Sequence, residues 1–359
     1  MSIGDLGWND YCEAVWNEKD RGECVPARVV AQQRGLWRVA GDFAECWAEA
    51  SGALRLAAQA GGDWPTVGDW VTAEKRIGEA RASIQEVLPR RSKFSRKEAG
   101  KRVAEQVIAA NVDKAVIVAA LDGDFNLRRI ERYMTQIWES GAQAIVVLNK
   151  ADVCAGAEAR VAEVEKVALA TPVHTVSAKT GQGMEALEAS LRRAETLVFL
   201  GSSGVGKSTL VNWLLGTETQ ATAAVRQSDS RGRHTTTARE LFVARCGALV
   251  MDTPGLRELQ LWDAREGVAE AFADIAELAA ECHFRDCTHA SEPGCAVRQA
   301  LEKGTLDAER LENQRKLARE EEFLSRKVDP EKQQEYKKRI KLLFRAIRRN
   351  AQSRNKDKK

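Results

Sequence analysis

The sequence predicts a multidomain chain in three parts: a small N-terminal β-barrel or sandwich, a central α/β phosphate-loop domain, and a C-terminal helical region carrying a metal cluster. Three observations carry this reading. Short apolar segments at 27–31, 36–39, 45–49, 70–73 and 83–88 are split by Gly, Pro and Asp, as in a compact β fold. From about 104 to 262, strand candidates (115–120, 144–148, 174–176, 197–200, 241–244, 248–251) alternate with helical stretches, the signature of an open, mainly parallel sheet with helices on both faces. Beyond that, Val268, Phe272, Ile275 and Leu278 recur at steps of three and four, placing them on one face of a helix over 266–281. The expected domain boundaries are 1–93, 94–262 and 263–359.

Composition supports packed domains. Of 359 residues, 44% are hydrophobic and 30% charged, which excludes global disorder. The first residues, MSIGDLGWNDYCEAVW, carry acids and lack the apolar run of a signal peptide. The longest apolar stretches, such as 116–121, fall far short of the ~20 residues a membrane helix needs. The expectation is a soluble, cytoplasmic monomer with no membrane partner. In a reducing compartment the scattered Cys12, Cys24, Cys46, Cys154 and Cys246 read as small core residues rather than disulfides.

In the N-terminal part, six of the nine tryptophans lie within the first 70 residues: Trp8, Trp16, Trp37, Trp47, Trp64 and Trp70. They suit either the core of a small barrel or stacking on nucleic-acid bases, and the core is the simpler account. A basic linker follows. Arg90, Arg91, Lys93, Arg96, Lys97, Lys101 and Arg102 face only Glu98 within residues 90–102, and a phosphate backbone is the natural counterpart of such an excess. At the other end, residues 337–359 hold eleven Lys or Arg against Asp357 alone. Leu342, Leu343, Phe344 and Ile347 give that segment an apolar side, as in a basic amphipathic helix, with a solvated tail as the alternative.

The central part carries the chemistry. Gly201-Ser202-Ser203-Gly204-Val205-Gly206-Lys207-Ser208 fits G-x-x-x-x-G-K-[ST] in full and sits between an apolar strand and a helical stretch that begins at Thr209. Backbone N–H groups of such a loop wrap the β-phosphate at a helix N-terminus. Lys207 should reach the β- and γ-phosphates and Ser208 should bind Mg²⁺. Asp252 and Gly255 belong to a D-T-P-G sequence at a strand end. There the carboxylate can hold Mg²⁺ through water and the Gly255 N–H can meet the γ-phosphate.

Asn149, Lys150 and Asp152 form N-K-x-D at the end of another strand, and Ser177, Ala178 and Lys179 end the next. A carboxylate at Asp152 accepts two hydrogen bonds from guanine N1–H and the N2 amine, a donor pair that adenine lacks. The Lys150 stem can cover the base, and backbone N–H groups of 177–179 can support guanine O6. The nucleotide is therefore GTP. The order is unusual: the guanine motifs precede the phosphate loop, so the domain is circularly permuted, a rearrangement that domains with neighbouring termini tolerate. Residues 252–255 consequently run straight into the C-terminal part, linking nucleotide state to it.

Between the phosphate motifs lies Ser230-Arg231-Gly232-Arg233-His234-Thr235-Thr236-Thr237. One of the three threonines should meet Mg²⁺, and Thr236 is assigned. The position after D-T-P-G is Leu256, where familiar GTPases place a water-orienting Gln. Intrinsic hydrolysis should be slow, and His234 is the candidate for positioning the water; the alternative is an ordinary polar loop residue. In the C-terminal part, Cys282, Cys287, His289 and Cys295 offer three thiolates and an imidazole within fourteen residues, enough to close a tetrahedral structural Zn²⁺ site, one per chain. His283 is surplus to four-coordination.

On these motifs and their permuted order, the chain resembles the RsgA family (also called YjeQ or EngC), the small ribosomal subunit biogenesis GTPases. The resemblance implies an OB-fold N-terminal domain, a permuted GTPase core and a zinc-binding C-terminal domain. It implies binding to the small subunit and its rRNA late in maturation, with ribosome-stimulated hydrolysis of GTP to GDP. It also implies a hydrolytic role for His234 and zinc ligation by Cys282, Cys287, His289 and Cys295. A GTP-regulated module acting on a non-ribosomal RNA is the competing reading, since a basic linker, an OB-like domain and a basic tail suit both.

Overall fold

A computed structural model of the chain describes residues 1–33, 35–75, 81–97, 105–168, 170–216, 239–252 and 265–328. Five N-terminal strands, β1 (Val25–Gln33), β2 (Leu36–Gly41), β3 (Phe43–Ala50), β4 (Trp70–Lys75) and β5 (Arg81–Val87), run in the order β1-β2-β3-β5-β4 and close through β4 onto β1. Pairing is antiparallel except between β3 and β5, and after the N-terminal helix α1 (Asp10–Asn17) a second helix, α2 (Gly52–Gln59), joins β3 to β4, which is the OB arrangement. Inward positions are small or branched: Ala27, Val29, Val39, Ala48, Val71, Ala73 and Ile84 are fully buried. Trp37 and Trp70 are core residues, while Trp64 is 44% exposed and stacks on Trp37 with centroids 6.2 Å apart.

The barrel does not stand apart. After hairpin strands β6 (Lys93–Lys97) and β7 (Glu105–Ala110), the chain lays down β8 (Lys114–Ala120), β9 (Gln143–Asn149), β10 (Val173–Thr175), β11 (Thr196–Leu200), β12 (Arg239–Val243) and β13 (Leu249–Asp252). Their order is β10-β9-β8-β11-β13-β12, parallel except for β12. β12 then pairs with β1 through Ala31 opposite Glu240 and Gln32 opposite Arg239, so barrel and α/β unit share one eleven-stranded sheet. In its pairing with β2, β1 has a bulge between Val29 and Ala31, and that kink separates its barrel-closing half from the half that meets β12. Arg28 reinforces the junction. Its fully buried guanidinium donates to the carbonyls of Leu6, Gly68 and Asn111 and to Thr196 Oγ1, and burial lowers its pKa to about 10.

Period-two patterning assigns the two faces of the α/β sheet. On β8, Ala115 and Ile117 join the core shared with the barrel and with helix α3 (Leu127–Ser140), whereas Val116 and Val118 join the core beneath α5 (Met184–Ala189) and α6 (Lys207–Leu215). Helix α4 (Ala157–Val167) covers the α3 side.

The C-terminal unit contains α7 (Arg265–Ala271), α8 (Ala273–Ala280), α9 (Ala296–Glu302) and α10 (Ala308–Val328). The single helix expected over 266–281 is broken. Phe272 leaves helical geometry (φ −123°, ψ 36°) and buries its ring among Val268, Ile275, Cys295 and Val297. This unit clamps α3. Glu131, 1% exposed, accepts from Arg310 (2.7 Å), Asn313 (2.6 Å) and Arg128 (2.9 Å), and Arg310 also forks onto Asp274. Gly267 lets α7 lie against α3, since a Cβ there would collide with the Thr135 carbonyl.

The basic linker needs correction. Arg90, with its side chain 6% exposed, forks onto buried Asp69 at 2.7 and 2.8 Å and also meets Asp63. Arg91 pairs with Asp113, Lys93 with Glu105 at 2.8 Å, and Arg96 bonds Gln106. The acids lie outside residues 90–102, so a local charge count misses them; Arg90 is structural rather than free for phosphate, while Arg91 is paired at the surface with 45% of its side chain exposed. Lys101, Arg102 and the basic tail lie outside the described residues. No described helix is long and apolar enough to cross a membrane.

Candidate nucleotide and metal sites

The parallel strands end on one edge of the sheet, where open α/β folds bind ligands. Asn149, at the end of β9 and 3% exposed, holds three loops together there. Its Nδ2 donates to the Val205 carbonyl (2.8 Å), and its Oδ1 accepts from the Ala178 N–H (3.0 Å). Residues 149–152, 177–179 and 201–208 are thus fixed relative to one another by one amide. Gly206 is required by that contact: it has φ +99°, and a Cβ there would overlap Asn149 Nδ2.

Around this staple opens a cleft of about 580 Å³, lined by Asn149, Lys150, Asp152, Val153, Ser177, Ala178, Lys179, Ser203, Gly204, Gly206, Lys207, Ser208 and Thr209. Asp152 Oδ1 accepts from Ser177 Oγ at 2.7 Å, and the same hydroxyl accepts from the Thr180 N–H at 3.2 Å. Lys150 adopts φ +67°, and its ammonium meets Asp122 Oδ2 at 2.7 Å, which holds the Asp122 carboxyl below its ordinary pKa. Gly201 passes so close to the Val118 carbonyl that no side chain fits. Lys207 folds back on its own loop, donating to the carbonyls of Gly201 (2.6 Å) and Ser202 (2.5 Å).

Not every expected residue lines the cleft. Gly201, Ser202 and Val205 are outside the cleft lining, and the Val205 side chain lies in the core. Asp252 ends β13 on the same sheet edge. His234, Thr235, Thr236, Thr237, Gly255 and Leu256 lie outside the described residues. The motifs did not point to Val153, Asp122 or Arg129. Val153 adjoins N-K-x-D and is 64% exposed, a signal in itself. Asp122 follows the last residues of β8, and Arg129 lies in the first turn of α3, capped by Asn126; the Leu127, Ile130, Met134, Ile137 repeat marks that helix.

The donor atoms of Cys282, Cys287, His289 and Cys295 lie within 4.8 Å of one another. Cys282 and Cys295 sulfurs are 3.9 Å apart, and His289 Nδ1 is 3.6 and 3.5 Å from them. Zn–S bonds near 2.3 Å at tetrahedral angles put sulfurs about 3.8 Å apart, so this donor set fits zinc. The Cys287 thiol is pushed up to about 11, by desolvation first and then by the two neighbouring sulfurs. Crowded thiols of this kind call for a cation. The Glu292 carboxylate organises the loop by accepting from the N–H groups of Thr288, Ala290 and Ser291, a role the sequence did not reveal. His283 packs edge-on against Phe284, outside the cluster.

Comparisons with known proteins can be set beside this geometry. The RsgA GTPase family model matches residues 87–262. An ABC transporter model matches residues 184–347, an interval that shares the phosphate loop but leaves out residues 149–152 and 177–179. The chain is 46% identical over 340 residues to the small ribosomal subunit biogenesis GTPase RsgA of Opitutus terrae, covering 92% of each. It is 40% identical over 323 residues to the protein of that name from Methanosarcina acetivorans, covering 90% of this chain and 86% of the other. Among solved structures it is similar to YjeQ of Thermotoga maritima, with TM-score 0.63 and 26% identity over 83% of this chain and 98% of that one. YloQ, described as a circularly permuted GTPase, aligns with TM-score 0.60 at 22% identity, covering 84% and 97%, a likeness of fold.

Proposed function

The chain belongs to the RsgA GTPase family, and on that premise we propose that its cleft binds GTP with Mg²⁺, hydrolyses it to GDP and phosphate, and serves late maturation of the small ribosomal subunit. The observation that carries the nucleotide reading is Asn149, which ties the guanine motifs to the phosphate loop. Asp152 accepts from the base N1–H and N2 amine, while its bond from Ser177 keeps the carboxylate oriented. The Lys150 stem covers one face of the base. Backbone N–H groups of 177–179 face O6, and that of Ala178 shares or leaves its bond to Asn149 when the base enters.

At the other end, Gly201, Ser202, Ser203, Gly204, Val205 and Gly206 present backbone N–H groups to the phosphates. Lys207 leaves the loop carbonyls for the β- and γ-oxygens. Ser208 and Thr236 would ligate Mg²⁺, and Asp252 would hold it through water. His234 positions the attacking water, a task Leu256 cannot perform. The Cys282, Cys287, His289 and Cys295 set would hold one structural Zn²⁺, and four protein ligands would leave it no open catalytic position. The protein acts as a cytoplasmic monomer.

The small subunit enters through the relatives, whose names associate them with its biogenesis. Steady-state GTP turnover with and without purified small subunits tests it. The expected outcome is stimulation of at least about tenfold, the scale on which docking supplies missing transition-state contacts. Equal turnover in both conditions, or equal stimulation by transfer RNA, overturns the partner while leaving the cleft assignment in place.

A further inference from the structure

Two cations converge on one residue of the phosphate loop. Lys207 Nζ donates to the Ser202 carbonyl at 2.5 Å, and the Arg129 guanidinium donates to the Ser202 hydroxyl. In a loop of this motif the lysine ammonium serves the β- and γ-phosphates, so its resting place marks the γ end. Arg129 is held by Asp124, whose carboxylate lies 2.8 Å from the same Nη1, and Asp124 is in turn tied to Asp122 through its own N–H (3.0 Å). Asp122 itself is engaged by Lys150. The guanidinium comes from the first turn of α3, an element braced on the C-terminal unit through Glu131 and Arg310.

From this arrangement we infer that Arg129 is an arginine supplied in cis to the γ-phosphoryl group, a positioning and charge-stabilising residue of the hydrolysis. The inference rests on the reading of the cleft as a GTP site. In the reaction, water oxygen attacks the γ-phosphorus and the bond to the β–γ bridging oxygen breaks. The electron pair goes to the β-phosphate of GDP, and both protons of the water leave on inorganic phosphate as H₂PO₄⁻, which then equilibrates with solvent. Arg129 exchanges no proton; it moves from the Ser202 hydroxyl to the γ-oxygens as their charge is redistributed. Asp124 keeps the guanidinium near its working position, so little reorganisation is left to the chemical step. Ground-state contacts to the diphosphate do not involve it.

Single-turnover hydrolysis at saturating GTP, together with GDP affinity and thermal melting, tests Arg129→Ala and Arg129→Lys. Arg129→Ala should slow the chemical step by at least about 30-fold, the scale of losing one preorganised transition-state donor. GDP affinity and melting should hold. Arg129→Lys should recover part of the rate, because charge returns without the fork. Parallel loss of GDP binding or of stability would make Arg129 a brace of the loop and overturn the inference. An unchanged hydrolysis rate would overturn it equally. If the unsubstituted protein fails to bind GDP, the cleft reading itself falls and takes the inference with it.

Discussion

The nucleotide cleft is held by hydrogen bonds between distant strand ends, whereas the donors of Cys282, Cys287, His289 and Cys295 meet on one loop. In the cleft, Asn149, Ser177 and Lys150 each satisfy backbone or side-chain partners from different strand ends, and the sheet behind them is continuous with the barrel. The cluster sits on the loop between α8 and α9 over a small separate core, with the Cys282 and Cys295 sulfurs 3.9 Å apart and the loop tied by Glu292 and by the Arg298 N–H on Cys295 Sγ. Short motifs announce both sites equally well. What differs is what a ligand would add: hydrogen bonds between distant segments already join the loops of the cleft, whereas the proposed Zn²⁺ would bond the four donors to one another directly.

The largest expected effect follows from removing the metal. Structural zinc binding is worth on the order of 10 kcal/mol in small zinc domains, so chelation or Cys295→Ala should make residues 265–328 protease-sensitive and lower their melting sharply. GDP affinity should change by less than about threefold, because among the described residues no cleft contact depends on that loop. Isothermal titration beside limited proteolysis reads both quantities. Joint collapse would show that the two regions are not independently organised.

A smaller effect should come from attacking the cleft's own organisation. Asn149→Ala leaves the buried Val205 carbonyl and the Ala178 N–H without their partner, at about 1–3 kcal/mol each. GDP affinity should fall roughly 30-fold with metal content unchanged. An Asn149→Ala protein that binds GDP like the parent would mean that the loops hold their places by packing alone, and the contrast between the two sites would disappear.

How much of this was legible beforehand depends on the range over which each feature is specified. Strands of the barrel and of the α/β unit and all three nucleotide motifs are local patterns, and the cluster's four donors sit within fourteen residues, whereas the hairpin strands β6 and β7 fall where the sequence reads as a basic linker and its continuation. Features set by distant partners were not legible. Arg90 reads as a free cation until the fold brings Asp63 and Asp69 to it, and Arg28 gives no sign in sequence that it will be buried among carbonyls. The break at Phe272 was hidden because its aromatic side chain keeps the helical period even though its backbone does not keep helical geometry. Arg129 was hidden for a different reason: the helix that carries it is readable, but its meeting with Ser202 links residues 73 positions apart.

The central claim is a guanine-specific cleft, and paired titrations of GDP, ADP and XDP into the unsubstituted protein and Asp152→Asn test it most directly. Two charge-assisted hydrogen bonds separate guanine from adenine, so GDP should bind at least about 100-fold more tightly than ADP. Asp152→Asn should lose most of that affinity and gain for XDP, whose C2 carbonyl accepts from an amide. Equal binding of GDP and ADP by the unsubstituted protein, or unchanged GDP affinity in Asp152→Asn, would contradict the account.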